Sequence, residues 1–333
     1  MATESIYPAT ALISRTEYIT QPRDYQFDSL PEIAAVPAAL TIRGSTAHFT
    51  VSYDNSLGSD GQTLADAVLG VCEADYSTLQ GYFGGITPPN LPFNVNILPG
   101  NFGASHATCP ATTLSIGAQS APGVDIPFIR SLVIAEEDEV FEAATGRGWD
   151  CGASNGEGLS RVLANAMYPG AEPSNFVSAP VWLDGGRPDF VNNTDPTDRN
   201  YVSIGCAVLF LNWLRYQRHF SWNEIILAGA STLAQTYTNL TGRSDAWTRF
   251  TTLLQNHFPA GVPSGLTTDN PFPLLDPASW VGTLTVYVTD FPNQGPTARI
   301  EYVSTDGHVW ELYYVASTST WGAADLTALA GGA

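Results

Sequence analysis

SLVIAEEDEVFEAATGRGWDCGASNGEGLS, residues Ser131–Ser160, carries the densest group of ionisable side chains in a chain otherwise poor in charge. Within it Leu132, Val133, Ala135, Val140 and Phe141 recur at helical spacing and build an apolar stripe, which predicts a helix over Ser131–Phe141. Glu136, Glu137, Asp138 and Glu139 crowd one turn of that helix. Four adjacent carboxylates repel one another and stay ionised only if the turn is solvated, cations sit nearby, or a metal is bound. A Gly-rich break follows at Gly146, Gly148 and Gly152, and Asn155-Gly156-Glu157-Gly158 then opens a second helical run, Leu159–Met167, stopped by Pro169.

Composition sets the outer limits. A chain of 333 residues with 44% hydrophobic and 11% aromatic content is long and apolar enough for one large globular domain or two ordinary ones. Thirteen Lys and Arg against 32 Asp and Glu give a net charge of −19, which disfavours nucleic acid and acidic membrane surfaces as partners. No run of about 18 apolar residues occurs, so no membrane insertion is expected. The first residues lack a basic segment followed by an apolar one, so a cytoplasmic location is expected as written, or secretion if a leader is removed. Cys72, Cys109, Cys151 and Cys206 form no C-x-x-C pair and leave open either two disulfides or four buried thiols. His106-Ala-Thr-Cys109 has ligand-like spacing.

A hydrophobic helix with a glutamate in a V-I-A-x-E-x-x-x-F pattern, then a loop, then a helix opening on N-x-E-G-L-S, resembles the active-site segment of the gluzincin metallopeptidases. The resemblance implies a catalytic glutamate at Glu137 and a third zinc ligand at Glu157. It places the two zinc-binding histidines of that family at Glu136 and Val140, where this chain has neither. Zinc needs nitrogen or thiolate donors to be held by three protein ligands, and valine offers none. The resemblance therefore implies the scaffold and argues against zinc peptidase activity.

The surrounding pattern agrees with an α+β fold: a sheet plus helices, a mostly helical second half and a small all-β C-terminal module. Residues 1–40 read as an irregular, Pro-containing arm. Thr46–Asp54 alternates as a strand and leads to a helix over Leu64–Phe83; Leu91–Gly100 is a second strand, and Asn101–Gln119 a Gly-rich turn with an edge strand centred on Thr112–Ile116. After an ordered loop over Gly170–Asn200 come helices at Val202–Phe220, at Trp222–Leu240 behind a Ser221/Glu224 capping box, and at Asp245–Phe258. The zincin-like domain is thus expected over 41–260, a Pro-rich linker over 261–279 and the β module over 280–333.

In the module, Leu284–Asp290, Ala298–Thr305 and His308–Ala316 read as strands, with Asp306-Gly307 as a hairpin turn. This run, with Trp321 and Asp325-Leu326-Thr327, resembles one repeat of the bacterial and fungal β-propeller lectins. A single blade cannot close a propeller, so it implies packing on the first domain, assembly with copies from other chains, or a truncated array. The lectin resemblance implies carbohydrate contacts at Trp310, Glu311, Tyr313 and Trp321.

Three functions follow. The first is a catalytically impaired, peptidase-like protein that binds a carbohydrate or protein ligand. The second is a carboxylate-dependent hydrolase using Glu137 and Glu157, or an enzyme holding calcium or magnesium at Glu136, Glu139, Asp150 and Glu157. The third is a zinc enzyme with ligands drawn from His106, Cys109 or Cys151. Oxygen donors make calcium or magnesium the expected cofactor over zinc, if there is one. His106, Trp149 and Arg161 are expected to border the groove. A plainer alternative leaves Glu136, Asp138 and Glu139 solvated, with Glu157 at its helix N-terminus and paired to Arg161 at i,i+4.

Overall fold

The computed structural model describes residues 39–100, 103–118, 125–173, 176–274, 276, 280–291, 295–304, 308–315 and 320–326, with backbone alone at 280–291, 295–299, 304 and 315. The expected N-terminal arm, apart from its last two residues, and the Asp306-Gly307 turn lie outside the described residues. The chain has two compact units, Met1–Pro271 and Phe272–Ala333, the division falling inside the Pro-rich segment.

The first unit opens with strands β1 (Leu40–Ser45) and β2 (Phe49–Asp54), helices α1 (Gly58–Leu69) and α2 (Cys72–Tyr82), and strands β3 (Phe93–Pro99), β4 (Ala104–Ser105) and β5 (Thr113–Ala118). The sheet order is β1-β2-β3-β5-β4, with β2, β3 and β5 parallel and the two outer strands antiparallel to their neighbours. Alternation explains the central strands: Phe49, Val51, Phe93, Val95, Ile97, Leu114 and Ile116 are fully buried, while Asn94 and Asn96 turn to the other face. The edge strand is β4, not the Thr112–Ile116 segment, which as β5 is paired on both sides. The single helix expected over Leu64–Phe83 is two helices, parted at Gly70 and Val71.

Helix α3 (Ile126–Thr145) starts at Asp125, whose carboxylate accepts from Phe128 N, and ends at Gly146 in the left-handed conformation. Helix α4 (Ser154–Met167) follows after the loop that Cys151 joins to the β4–β5 connection through a disulfide with Cys109. Cys72 and Cys206 are buried thiols, so neither two bridges nor four free cysteines describes the chain. Gly156 and Gly158 allow α4 its close approaches. A Cβ at Gly156 would sit 2.2 Å from the Asp150 carbonyl oxygen, and one at Gly158 would sit 2.6 Å from Ala207 Cβ.

The remainder is helical: α5 (Ala179–Leu183), α6 (Tyr201–Asn212) continued by a π turn over Trp213–Gln217, α7 (Trp222–Leu227), α8 (Leu233–Thr241) and α9 (Ala246–His257). The helix expected over Trp222–Leu240 is broken into α7 and α8 around Gly229, where Trp149 packs so closely that a Cβ would meet its Nε1 at 2.2 Å. The Ser221/Glu224 capping box is present. Trp182, Phe210, Trp213, Tyr237 and Phe250 form the aromatic core of this half. Beyond α9, the buried Asp269 carboxylate accepts from the Ser178 and Ala179 amides at 2.8 and 2.7 Å, and its carbonyl accepts from Asn212 Nδ2 at 3.1 Å.

The second unit is an antiparallel sheet in the order β6 (Trp280–Phe291), β7 (Gly295–Ser304), β8 (Val309–Val315), β9 (Thr320–Asp325). Strand β9 carries no periodic signal of its own, since TWGAAD has only one bulky apolar residue to set a period.

Two glycine substitutions are expected to move stability in opposite directions. Gly158→Val should lower it by about 2 kcal/mol through overpacking against Ala207. Gly81→Ala, in α2 with open space around it, should raise it by up to about 1 kcal/mol. Urea unfolding midpoints of the two variants check both signs.

Candidate functional site

Helix α3 distributes its carboxylates over three directions, because consecutive residues lie about 100° apart around a helix. All five of Glu136, Glu137, Asp138, Glu139 and Glu142 are buried, which removes the solvated reading of Glu136, Asp138 and Glu139. Glu137 faces the α2 side with the acidic Glu73 and Asp75 as its charged neighbours, and neither of its oxygens has a hydrogen-bond partner. Asp138 and Glu142 lie one turn apart as each other's acidic neighbours, and none of their four buried oxygens has a hydrogen-bond partner. Such a carboxyl pair must hold a proton.

Glu136 and Glu139 point the third way, into a cleft of about 180 Å³. Its walls are the edge strand β4, helix α3, helix α4 with Glu157, Ser160 and Arg161, and the segment holding Asp198, Arg199 and Tyr201. His106 stands just after β4 and is pinned between the two glutamates. Its Nδ1 is 2.7 Å from Glu136 and its Nε2 is 3.6 Å from Glu139, the second too long for a hydrogen bond. Arg161 donates to Glu157 at 2.7 Å and to the Phe176 carbonyl at 2.9 Å, and its guanidinium lies over the Tyr201 ring at 5.0 Å. The expected i,i+4 pair is therefore present, and Arg161 is a fixed cation on the cleft wall.

The structure thus brings Glu136, Glu139, Glu157, His106 and Arg161 together and leaves Glu137 on another face of the helix. A Glu137/Glu157 acid–base pair in one cleft does not form. Trp149 is buried, with its Nε1 donating to the Ile226 carbonyl at 3.0 Å, and it anchors the α3–α4 loop and does not line the cleft. Asp150 is exposed in that loop, its Oδ1 accepting from Gly152 N. Among the described residues, the side chains whose ligand atoms converge within 4.8 Å are His106, Glu139 and Cys151, and Cys109, Asp150 and Cys151. The all-carboxylate set of Glu136, Glu139, Asp150 and Glu157 does not converge in this way. A catalytic zinc held by α3 does not fit either, because Val140, one turn on from Glu136, is fully buried and offers no donor atom.

Burial raises the carboxyls of Glu137, Asp138, Glu139 and Glu142 well above the ordinary range, and desolvation also raises Glu136 against the opposing pull of His106. Glu172 is pushed up to about 8, first by burial and then by Asp269. A larger depression of about 430 Å³ beside Trp182 and Trp247 offers one ionisable side chain, Arg187, whose guanidinium is already tied to the Leu183 and Phe258 carbonyls. The smaller cleft is the one lined by several ionisable side chains, Glu136, Glu139, Glu157 and Arg161 among them.

In the β module the candidate quartet divides. Trp310 and Trp321 lie on one face, and Glu311 and Tyr313 on the other, by the alternation of β8 and its register with β9. Trp310 and Glu311 are buried; Trp321 is 53% exposed and meets the Tyr314 ring at 5.6 Å. Tyr313 packs over Gly322, where a Cβ would approach its ring at 2.6 Å. The four residues therefore do not make one platform. Among the described residues, no helix is long and apolar enough to cross a membrane.

Raised carboxyls mean that the folded chain holds protons that the unfolded chain releases above about pH 4.5. Stability is then greatest at low pH and falls as pH rises through about 8, where Glu172 ionises. The slope approaches about 1.4 kcal/mol per pH unit for each group that keeps its proton on folding. Thermal unfolding in chelator-containing buffers from pH 5 to 8 checks this; a midpoint that rises with pH would contradict it. No protein-family model matches the chain, and no curated protein sequence matches it.

Proposed function

We propose that the cleft is a ligand-binding groove on a zincin-like scaffold whose central helix no longer holds zinc, and that it receives a cationic, extended polypeptide segment. The observation that carries this is the convergence of Glu136, Glu139 and Glu157 on one small cleft beside the sheet-edge strand β4. An extended chain can pair with the backbone of an edge strand, while an arriving lysine or arginine lets a buried carboxyl give up its proton and meet the cation in a charge-assisted bond. Support for the scaffold comes from the order of parts: a mixed sheet with an antiparallel edge strand, then α3 beneath it, then α4 entering with Glu157 in its first turn. The fully buried Val140 supports binding without zinc-dependent cleavage.

The β module is proposed to add a second contact surface for carbohydrate or protein, supported by the exposed Trp321 beside Tyr314. A second reading of the cleft, carboxylate-dependent hydrolysis, is favoured by one observation. Glu139, whose proton is retained by burial, shares the cleft with Glu157, which is ion-paired to Arg161. A protonated and an ionised carboxyl are the pair that acid–base hydrolysis uses.

Fluorescence anisotropy with labelled extended peptides containing Lys or Arg, against neutral controls, tests both readings. Glu139→Gln and Glu157→Gln are each expected to weaken binding of the cationic peptides about tenfold, the loss of one charge-assisted bond. The peptide should be recovered intact by mass spectrometry. Cleavage that both variants abolish would move the assignment to the hydrolase, and indifference to peptide charge would sink the binding reading.

A further inference from the structure

We propose that His106, Glu139, Cys109 and Cys151 become a zinc site when the Cys109–Cys151 disulfide is reduced. The site lies at the junction of the β4–β5 connection, α3 and the α3–α4 loop, and Glu139 is the ligand it shares with the cleft lining. His106 Nε2 is 3.8 Å from Cys151 Sγ and 3.6 Å from Glu139 Oε2. In a tetrahedron with zinc–sulfur bonds of about 2.3 Å and zinc–nitrogen or zinc–oxygen bonds of about 2.0–2.1 Å, the nitrogen–sulfur edge is about 3.6 Å and the nitrogen–oxygen edge about 3.4 Å. Two edges of such a tetrahedron are therefore already set to within a few tenths of an ångström. Cys109 Sγ, bonded to Cys151 Sγ, needs only to move off to the sulfur–sulfur edge of about 3.8 Å once the bond is broken.

The imidazole is prepared for this role. Its Nδ1 is held by Glu136 at 2.7 Å, the carboxylate–histidine arrangement that fixes a ring and turns Nε2 toward a metal. Its side chain is only 3% exposed, so the ring has no alternative orientation in water. In the oxidised chain the sulfurs carry no thiolate charge and the position offers only one nitrogen and one carboxylate, too few donors for structural zinc.

The conversion balances. Two equivalents of a small thiol deliver two electrons and two protons to the S–S bond, giving two protein thiols and one small-molecule disulfide. Zn²⁺ then replaces both thiol protons and the proton that burial keeps on Glu139, and all three leave to solvent as the two Zn–S bonds and the Zn–O bond form.

The test uses the full chain, reduced with a dithiol under argon, desalted, and exposed to one equivalent of Zn²⁺ or Co²⁺, beside the oxidised chain treated identically. About one zinc per chain is expected after reduction and none in the oxidised form, with the cobalt derivative showing thiolate charge-transfer bands and the visible bands of tetrahedral Co²⁺. Glu136→Gln should weaken zinc between about 10- and 100-fold by releasing the ring, without removing a ligand. Asp150→Asn should leave affinity unchanged. The proposal is overturned if the reduced wild-type chain takes up no zinc, if the oxidised chain binds equally, or if the cobalt spectrum lacks thiolate bands. Metal lost on Asp150→Asn but kept on Glu136→Gln would place the ion with Cys109, Asp150 and Cys151 instead, and would refute the role of His106 and Glu139.

Discussion

Burying carboxylates on one helix is the constraint on which the rest of the first unit depends. An isolated ionised carboxylate inside a protein is so unfavourable that it must be neutralised, paired or bound to a cation. Helix α3 meets this in two ways: Glu136 takes His106, while Glu137, Asp138 and Glu142, whose oxygens have no hydrogen-bond partner, are pushed by burial toward the neutral, protonated form. The fold around α3 is correspondingly specific. His106 has to come from beside the edge strand, Arg161 from α4, and glycine has to occupy position 156, where a Cβ would sit 2.4 Å from Glu142 Oε2.

The Cys109–Cys151 link and Trp149 hold this arrangement from outside. One fastens the β4–β5 connection to the loop after α3; the other fastens that loop to the carbonyl of Ile226 near the end of α7. The cleft is therefore framed by parts distant in sequence, and its polar groups are kept in register by covalent and packing constraints more than by their mutual attraction, which is divided among carboxylates of like charge.

Much of this was legible in the chain. The apolar period of Ser131–Phe141 marks α3, Asn155–Gly158 marks the start of α4, and the Glu157–Arg161 spacing marks their pair, because each is a local rule of helix geometry. The destination of each carboxylate was not legible. Adjacent glutamates on one turn read as a solvated face, and only the tertiary fold, with α2, α4 and the edge strand packed around α3, makes them interior. Glu137 and Glu139 differ by two positions in sequence and by the whole thickness of a helix in environment. The pairing of Cys109 with Cys151 escaped for a similar reason: spacing carries no information on contacts across 42 residues. The breaks at Gly70 and Gly229 were hidden by apolar periodicity that runs on through them.

Asp269 stands well past the last helix of the first unit, only two residues before the division from the second. Its carboxylate and carbonyl are nonetheless bonded to the start of α5 and to Asn212 at the end of α6, deep in the aromatic half. The chain is thus clamped at its exit from the first unit. A pull on the β module is met by this buried clamp before it can peel α9 away, so the mechanical end of the first unit lies at residue 269 and not at the end of its last helix.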